Sequence, residues 1–122
     1  MSPRQKVVSV IDDDPAVLKA TARLLRTKGF EVEAFASAEA FLAGTTETKA
    51  SCLVLDIHLT GISGIELRRR LTASGSELPV IFITALDDDA TRKEAMEAGC
   101  IAFLRKPFLS HLLVEAIEKA AR

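Results

Sequence analysis

The sequence predicts an α/β domain, a doubly wound sheet of five parallel strands ordered 2-1-3-4-5 with helices on both faces. Three observations predict it. Short apolar runs alternate five times with amphipathic, helix-period stretches along the 122 residues. The runs VVSVI, CLVL and VIFI are almost uninterrupted, as strands covered on both faces require. Parallel neighbours need a crossover connection, and each intervening stretch is long enough to supply one as a right-handed helical crossover.

The elements follow in order. Val7–Ile11 is the first strand, broken only by Ser9. Asp14-Pro15 opens a helix with proline in its first turn; Val17, Thr21, Leu24, Leu25 and Lys28 give its stripe and Gly29 closes it. Residues 30–36 alternate, with Phe30, Val32 and Ala34 set against Glu31 and Glu33, which marks a less enclosed edge strand. Ser37 caps a short helix carrying Ala38, Phe41 and Leu42 that ends at Gly44. Residues 45–50 are polar and read as loop. Residues 52–55 form the third strand. Ser63 and Glu66 have capping-box spacing, opening a helix with Ile65, Leu67 and Leu71 that stops near Gly75. Residues 79–83 form the fourth strand, with proline tolerated at its first position. Asp87, Asp88 and Asp89 precede a helix carrying Ala90, Ala95, Met96 and Ala98, which Gly99 ends; early acids suit the helix dipole. Residues 101–104 are the fifth strand. Residues 109–121 are the last helix, with Leu112, Leu113, Ala116 and Ile117 facing inward.

Composition narrows the function. A chain of this length suits one domain that needs no disulfide or metal staple. A net charge of −1 offers no basic footprint for nucleic acid or an anionic membrane. Cys52 and Cys100 lack metal-ligand or CxxC spacing and adjoin apolar runs, so they read as buried free thiols in a reducing compartment. No apolar run approaches the roughly 20 residues of a membrane span, and MSPRQK lacks a signal peptide's apolar stretch. Cytoplasm is the expected location. No repeat, low-complexity tract or interdomain linker stands out.

Polar groups stand where the apolar runs stop: Asp12-Asp13, Asp56, Thr84 and, shortly after the fifth run, Lys106. Ligands of open parallel sheets bind beyond the carboxyl ends of the strands, and the order 2-1-3-4-5 brings these four positions to one side. Carboxylates for a hard cation, one fixed positive charge and one hydroxyl suit a phosphoryl group with Mg²⁺. Each residue also has a plain reading. The aspartates at 12–14 can be a solvated loop, and Asp14 a helix N-terminus. Thr84 can be a strand-end hydroxyl bonded to backbone, and Lys106 a surface charge. Asp56 is harder to dismiss, because a carboxylate directly after four apolar residues is costly to desolvate. Their joint occurrence, one per strand end, carries the weight.

The ordered set IDDD at 11–14, VLD at 54–56, SG at 63–64, ITA at 83–85, EAGC at 97–100 and LRKPF at 104–108 resembles a two-component response-regulator receiver domain, a flavodoxin-like fold, over essentially the whole chain. The resemblance implies that Asp56 accepts a phosphoryl group from a sensor histidine kinase or phosphotransfer protein. It implies Mg²⁺ held by Asp13, Asp56 and the backbone carbonyl of His58, with Asp12 acting through water. Lys106 would pair with a phosphoryl oxygen, Thr84 would donate to another, and Phe103 would be the switch aromatic that turns inward when Thr84 moves. It further implies a cis Lys106-Pro107 bond. Residues 5–122 read as a single receiver domain, with no output domain in this chain. Such a domain is a signalling switch that catalyses only its own phosphorylation and dephosphorylation, as the front of a transcriptional regulator or standing alone. A phosphorylation-dependent homodimer is consistent with it; direct nucleic-acid binding and membrane attachment are not.

The match has departures. Leu59-Thr60 stands where the family often has Met-Pro, and His58 and Leu86 occupy variable positions that influence phosphoryl lifetime. Other classes fit less well. An aspartyl-nucleophile phosphohydrolase resembles a DxD motif, whereas the second position after Asp56 is His58. A flavodoxin-like electron carrier needs a hydroxyl- or glycine-rich phosphate loop, and IDDDPA repels phosphate unless metal is bound. A receiver-like binding module would require an inert Asp56.

Overall fold

Five strands pair in parallel in the order β2-β1-β3-β4-β5 in the computed structural model, which describes residues 6–44, 49–86 and 88–120. They are β1 (Val7–Ile11), β2 (Glu31–Phe35), β3 (Cys52–Asp56), β4 (Val80–Thr84) and β5 (Ala102–Arg105). The helices are α1 (Pro15–Thr27), α2 (Ala38–Gly44), α3 (Gly64–Ala73), α4 (Asp89–Ala98) and α5 (Ser110–Ala120). Expectations placed on residues 45–48, Asp87 and Ala121 lie outside the described residues, as do the outermost ends of the domain assigned to 5–122.

The period-2 alternation of each strand divides the apolar residues between two cores. Val8, Val10, Cys52, Val54, Ile81 and Ile83 face one side with Leu25 of α1 and Leu113 and Ile117 of α5. Ile11, Leu53, Leu55, Val80 and Phe82 face the other, with Phe41 of α2, Ile65 and Leu67 of α3 and Ala95 of α4. Every residue of β3 and β4 is buried, whereas β2 shows only partial burial, as an edge strand should. Full burial of each Val, Leu, Ile or Phe is worth about 1.5–3 kcal/mol, so this layered core is the main force holding the strand ends in register.

Local chemistry sets the helix starts. Asp14 caps α1 by accepting from the N–H groups of Ala16 and Val17, and Pro15 occupies a first-turn position that needs no donor. Ser37 Oγ accepts from Ala40 N–H at the start of α2. Ser63 accepts from Glu66 N–H at 3.1 Å, but only this half of the expected capping box forms: Glu66 Oε2 turns to Arg70 Nε at 3.1 Å. Asp88 caps α4 through Thr91 N–H, a bond that holds its pKa below the usual carboxylate range.

One expectation about a face needs correction. Leu112, expected inward, is 41% exposed; the inward line of α5 is Leu113 and Ile117, and Leu112 instead lines a shallow groove with Ile101, Ala102 and Leu104 along the β5 edge. Met96 is 55% exposed: α4 turns buried Ala95 and partly buried Ala98 toward the core. The fifth strand also starts one residue late, leaving Ile101 half exposed.

Candidate functional site

The sheet order puts β1 beside β3, so Asp12, Asp13 and Asp56 meet at their carboxyl ends. One ligand oxygen from each carboxylate lies within 4.8 Å of the others. Asp12 and Asp56 are buried, at 1% and 5% exposure, and Asp13 is exposed. The buried pair is held by specific donors. Lys106 Nζ lies 2.7 Å from Asp12 Oδ2 and 3.3 Å from Asp56 Oδ2. Asp14 N–H donates to Asp12 Oδ1 at 2.9 Å, and His58 N–H donates to Asp56 Oδ1 at 3.1 Å. The His58 imidazole is exposed.

Charge is unbalanced here, with one ammonium against three carboxylates. Burial pushes the Asp56 carboxyl above its usual pKa and the Asp12 charge adds to this, while Lys106 and the His58 N–H pull back without cancelling it. Burial alone would lower the Lys106 pKa. The hydrogen bond and charge of Asp12 and the charge of Asp56 outweigh that, and the ammonium is held above its ordinary value. Lys106 follows β5, its N–H donates to Thr84 O at 2.7 Å, and the bond to Pro107 is cis.

Thr84 is fully buried at the end of β4, but its hydroxyl points into its own loop. It donates to Leu86 O at 2.9 Å and accepts from Leu86 N–H at 3.0 Å. Phe103, partly buried in β5, packs against the core beneath the Arg92 guanidinium, which lies 4.7 Å from its ring centroid.

Three contributors escaped sequence reasoning. Thr60 gives both its N–H and its Oγ1–H to Asp13 Oδ2, each at 3.1 Å; proline there would have no N–H to give. Glu39 of α2 accepts from Ile62 N–H at 3.0 Å and braces the same loop, and that bond keeps its pKa low. Gly64, noticed only within the SG pair, lets α3 start against the backbone of Asp56: a Cβ there would strike Asp56 O and approach Ile57 Cα to 2.9 Å. The spacing of Ser63 and Gly64 after Asp56 is the one linear signal among them. The Thr60 and Glu39 contacts are between distant segments and leave no local pattern.

Residues 8–118 match the family model of the response regulator receiver domain. The chain belongs to that family. It is 38% identical over 122 residues to the response regulator protein TodT of Pseudomonas putida, covering all of this chain and 54% of TodT. It is 40% identical over 114 residues to the transcriptional regulatory protein FixJ of Rhizobium meliloti, covering 93% of this chain and 56% of FixJ. The crystal structure of FixJ-N superposes with a TM-score of 0.88 at 38% identity, covering 97% of this chain and 94% of that one. The chain therefore spans about half the length of the curated relatives it matches.

This receiver domain is a signalling domain of two-component systems, whose family role is phosphoacceptance. Receiver domains bind Mg²⁺ through an acidic cluster, and the donor set fits that ion. Mg²⁺ retains several waters and needs only one or two carboxylates, and clustered oxygens with no sulfur or imidazole among them suit a hard cation. No described helix is long and apolar enough to cross a membrane.

Proposed function

We propose that Asp56 is the phosphoacceptor, taking a phosphoryl group from the phosphohistidine of a sensor kinase or phosphotransfer protein. The observation that carries this reading is the juxtaposition of Asp56 with two further carboxylates and the Lys106 ammonium at the carboxyl ends of β1, β3 and β5. Asp13 and Asp56 would hold Mg²⁺ with the His58 carbonyl, and Asp12 through water. The bound ion supplies charge neutralisation and in-line alignment of donor and acceptor. The chain's own residues do the rest. Burial strips water from the Asp56 carboxylate, and His58 N–H fixes its orientation. Lys106 exchanges part of its contact with Asp56 for a phosphoryl oxygen, acting as a point charge. Thr84 would leave Leu86 O to donate to another phosphoryl oxygen, allowing Phe103 to turn inward.

The domain then acts as a switch that catalyses only its own phosphorylation and dephosphorylation, in the cytoplasm, within a transcriptional regulator or standing alone. Its output face would be α4, β5 and α5, where Arg92, Lys93, Glu97, Arg105, Glu115 and Lys119 mix both charges, as a reversible homodimer contact would. Incubation with acetyl phosphate and Mg²⁺ followed by intact-mass measurement tests the acceptor. One added phosphoryl group, absent in Asp56→Asn, is expected; equal labelling of both proteins would reject Asp56.

A further inference from the structure

We infer that Thr60 is a positioning residue that pre-sets Asp13 for the cation, an inference resting on the metal site proposed above. The three carboxylates are not restrained alike. Asp12 and Asp56 are buried and tied to Lys106, so their side chains have little freedom to lose. Asp13 is exposed at the mouth of the site, and an exposed carboxylate on a short stem samples several rotamers. Thr60 restrains it from across the pocket, 47 residues away in sequence, with two donors from a single residue. Both bonds converge on Oδ2, and no described residue donates to Oδ1. The arrangement leaves one oxygen for an ion and fixes where that oxygen points.

Two effects oppose each other. Donors draw electron density from a carboxylate and so weaken it as a ligand. They also orient it and remove the ordering cost that binding would otherwise carry. Orientation prevails here, because both donors act on Oδ2 and leave Oδ1 without a donor among the described residues, and because Asp13 has no burial to hold it. The loop that carries Thr60 is itself fixed: His58 N–H is bonded to Asp56, and Ile62 N–H to Glu39. Thr60 therefore presents its donors from a braced frame.

Calorimetric titration of Mg²⁺ into the full chain tests this, using the parent, Thr60→Val and Thr60→Ser. Valine keeps the branched shape and the N–H but loses the hydroxyl donor; serine keeps both donors. Outer partners of metal ligands typically contribute 10- to 100-fold in affinity, so losing one of two donors should weaken Mg²⁺ binding by roughly five- to ten-fold in Thr60→Val. Thr60→Ser should stay within about two-fold of the parent, which a generic packing role for the threonine methyl would not predict. Equal Mg²⁺ affinity in Thr60→Val and the parent would overturn the role of Thr60 while leaving the metal site intact. A parent that does not bind Mg²⁺ would instead overturn the metal site itself.

Discussion

Lys106 Nζ sits 2.7 Å from Asp12 Oδ2, closer than its 3.3 Å approach to Asp56, the residue proposed to accept the phosphoryl group. Among the described residues, Lys106 is the cation paired with these carboxylates, and it sits closer to Asp12 and leaves Asp56 less completely paired. Burial, with the Asp12 charge added, holds the Asp56 carboxyl raised, and the more distant ammonium pulls back without cancelling it. This balance also determines how the metal-free fold responds to charge.

Asp56→Asn is expected to stabilise the metal-free protein. Removing one buried charge from a group of three relieves repulsion and desolvation while keeping the Lys106–Asp12 pair, a gain of about 1 kcal/mol or several degrees in Tm. The pH dependence follows from the raised Asp56 pKa. The folded state holds its proton to higher pH than the unfolded state, so parent stability falls as pH rises through that interval. The difference between variant and parent should be full at neutral pH and close below the ordinary aspartate range, where Asp56 is protonated in both states. Thermal melts in chelator across that range measure it. Asp13→Ala should gain less, because Asp13 is exposed and already bonded to Thr60.

Lys106→Ala should act in the opposite sense. It leaves Asp12 and Asp56 buried without their ammonium, and unpaired buried charge is far costlier than the pair is stabilising. Lys106 is itself only partly enclosed, with 18% side-chain exposure, so solvent moderates the loss to about 1–3 kcal/mol. Added Mg²⁺ should restore part of it by replacing the missing positive charge. Urea unfolding with and without Mg²⁺ is the measurement; a Lys106→Ala protein as stable as the parent in chelator would refute the charge argument. The pH sign is again fixed. The raised Lys106 pKa means its contribution is complete below the ordinary lysine range and is lost only as pH climbs through that raised value.

Gly64→Ala should damage fold and site together. Its added Cβ meets the carbonyl oxygen of Asp56, the proposed acceptor, and the Cα of the adjoining Ile57; both are backbone atoms, so neither can rotate away. Overpacking of this kind costs about 1–3 kcal/mol. The expected readout is a lower urea midpoint together with slower acetyl phosphate labelling, because the strand end carrying Asp56 has to shift. Unchanged labelling would mean that α3 moves instead of β3.

The sheet was legible because its signals are local. Apolar runs that end in polar residues give β1, β3 and β4, the Glu31/Glu33 alternation gives an edge strand, and Asp14-Pro15 and Ser63 give helix starts. The meeting of Asp12, Asp13, Asp56 and Lys106 followed once strand order was inferred, since they lie at or just beyond the ends of three strands, β1, β3 and β5. What escaped depends on the third dimension. Leu112 and Leu113 are chemically alike, and only the position of the β5 edge decides which is covered. Glu66 had two partners within reach and took Arg70, leaving the capping box half made. Thr60 and Glu39 act across loops that no periodicity links.

Thr84 and Phe103 pose the remaining question, how a phosphoryl group would be felt on the far face. In this state the Thr84 hydroxyl is bonded to the Leu86 backbone, and Phe103 lies beneath Arg92. Moving Thr84 exchanges a neutral hydrogen bond for a charge-assisted one, a gain of about 1 kcal/mol. Turning Phe103 inward gives up a cation–π contact worth about 0.5–1 kcal/mol at an exposed position. These nearly cancel, whereas carrying an equilibrium from 1:99 to 99:1 takes about 5.5 kcal/mol. A graded shift is expected, with Arg92 opposing it. Beryllofluoride with Mg²⁺ should therefore change amide exchange across α4, β5 and α5 and promote self-association in sedimentation. Arg92→Ala should move further toward that state at the same beryllofluoride concentration. Thr84→Ala should accept phosphate at Asp56 yet show neither response. Equal exchange changes in the parent and Thr84→Ala would exclude the hydroxyl as the relay, and an Arg92→Ala protein that responds less than the parent would show that Arg92 supports the activated face instead of restraining it.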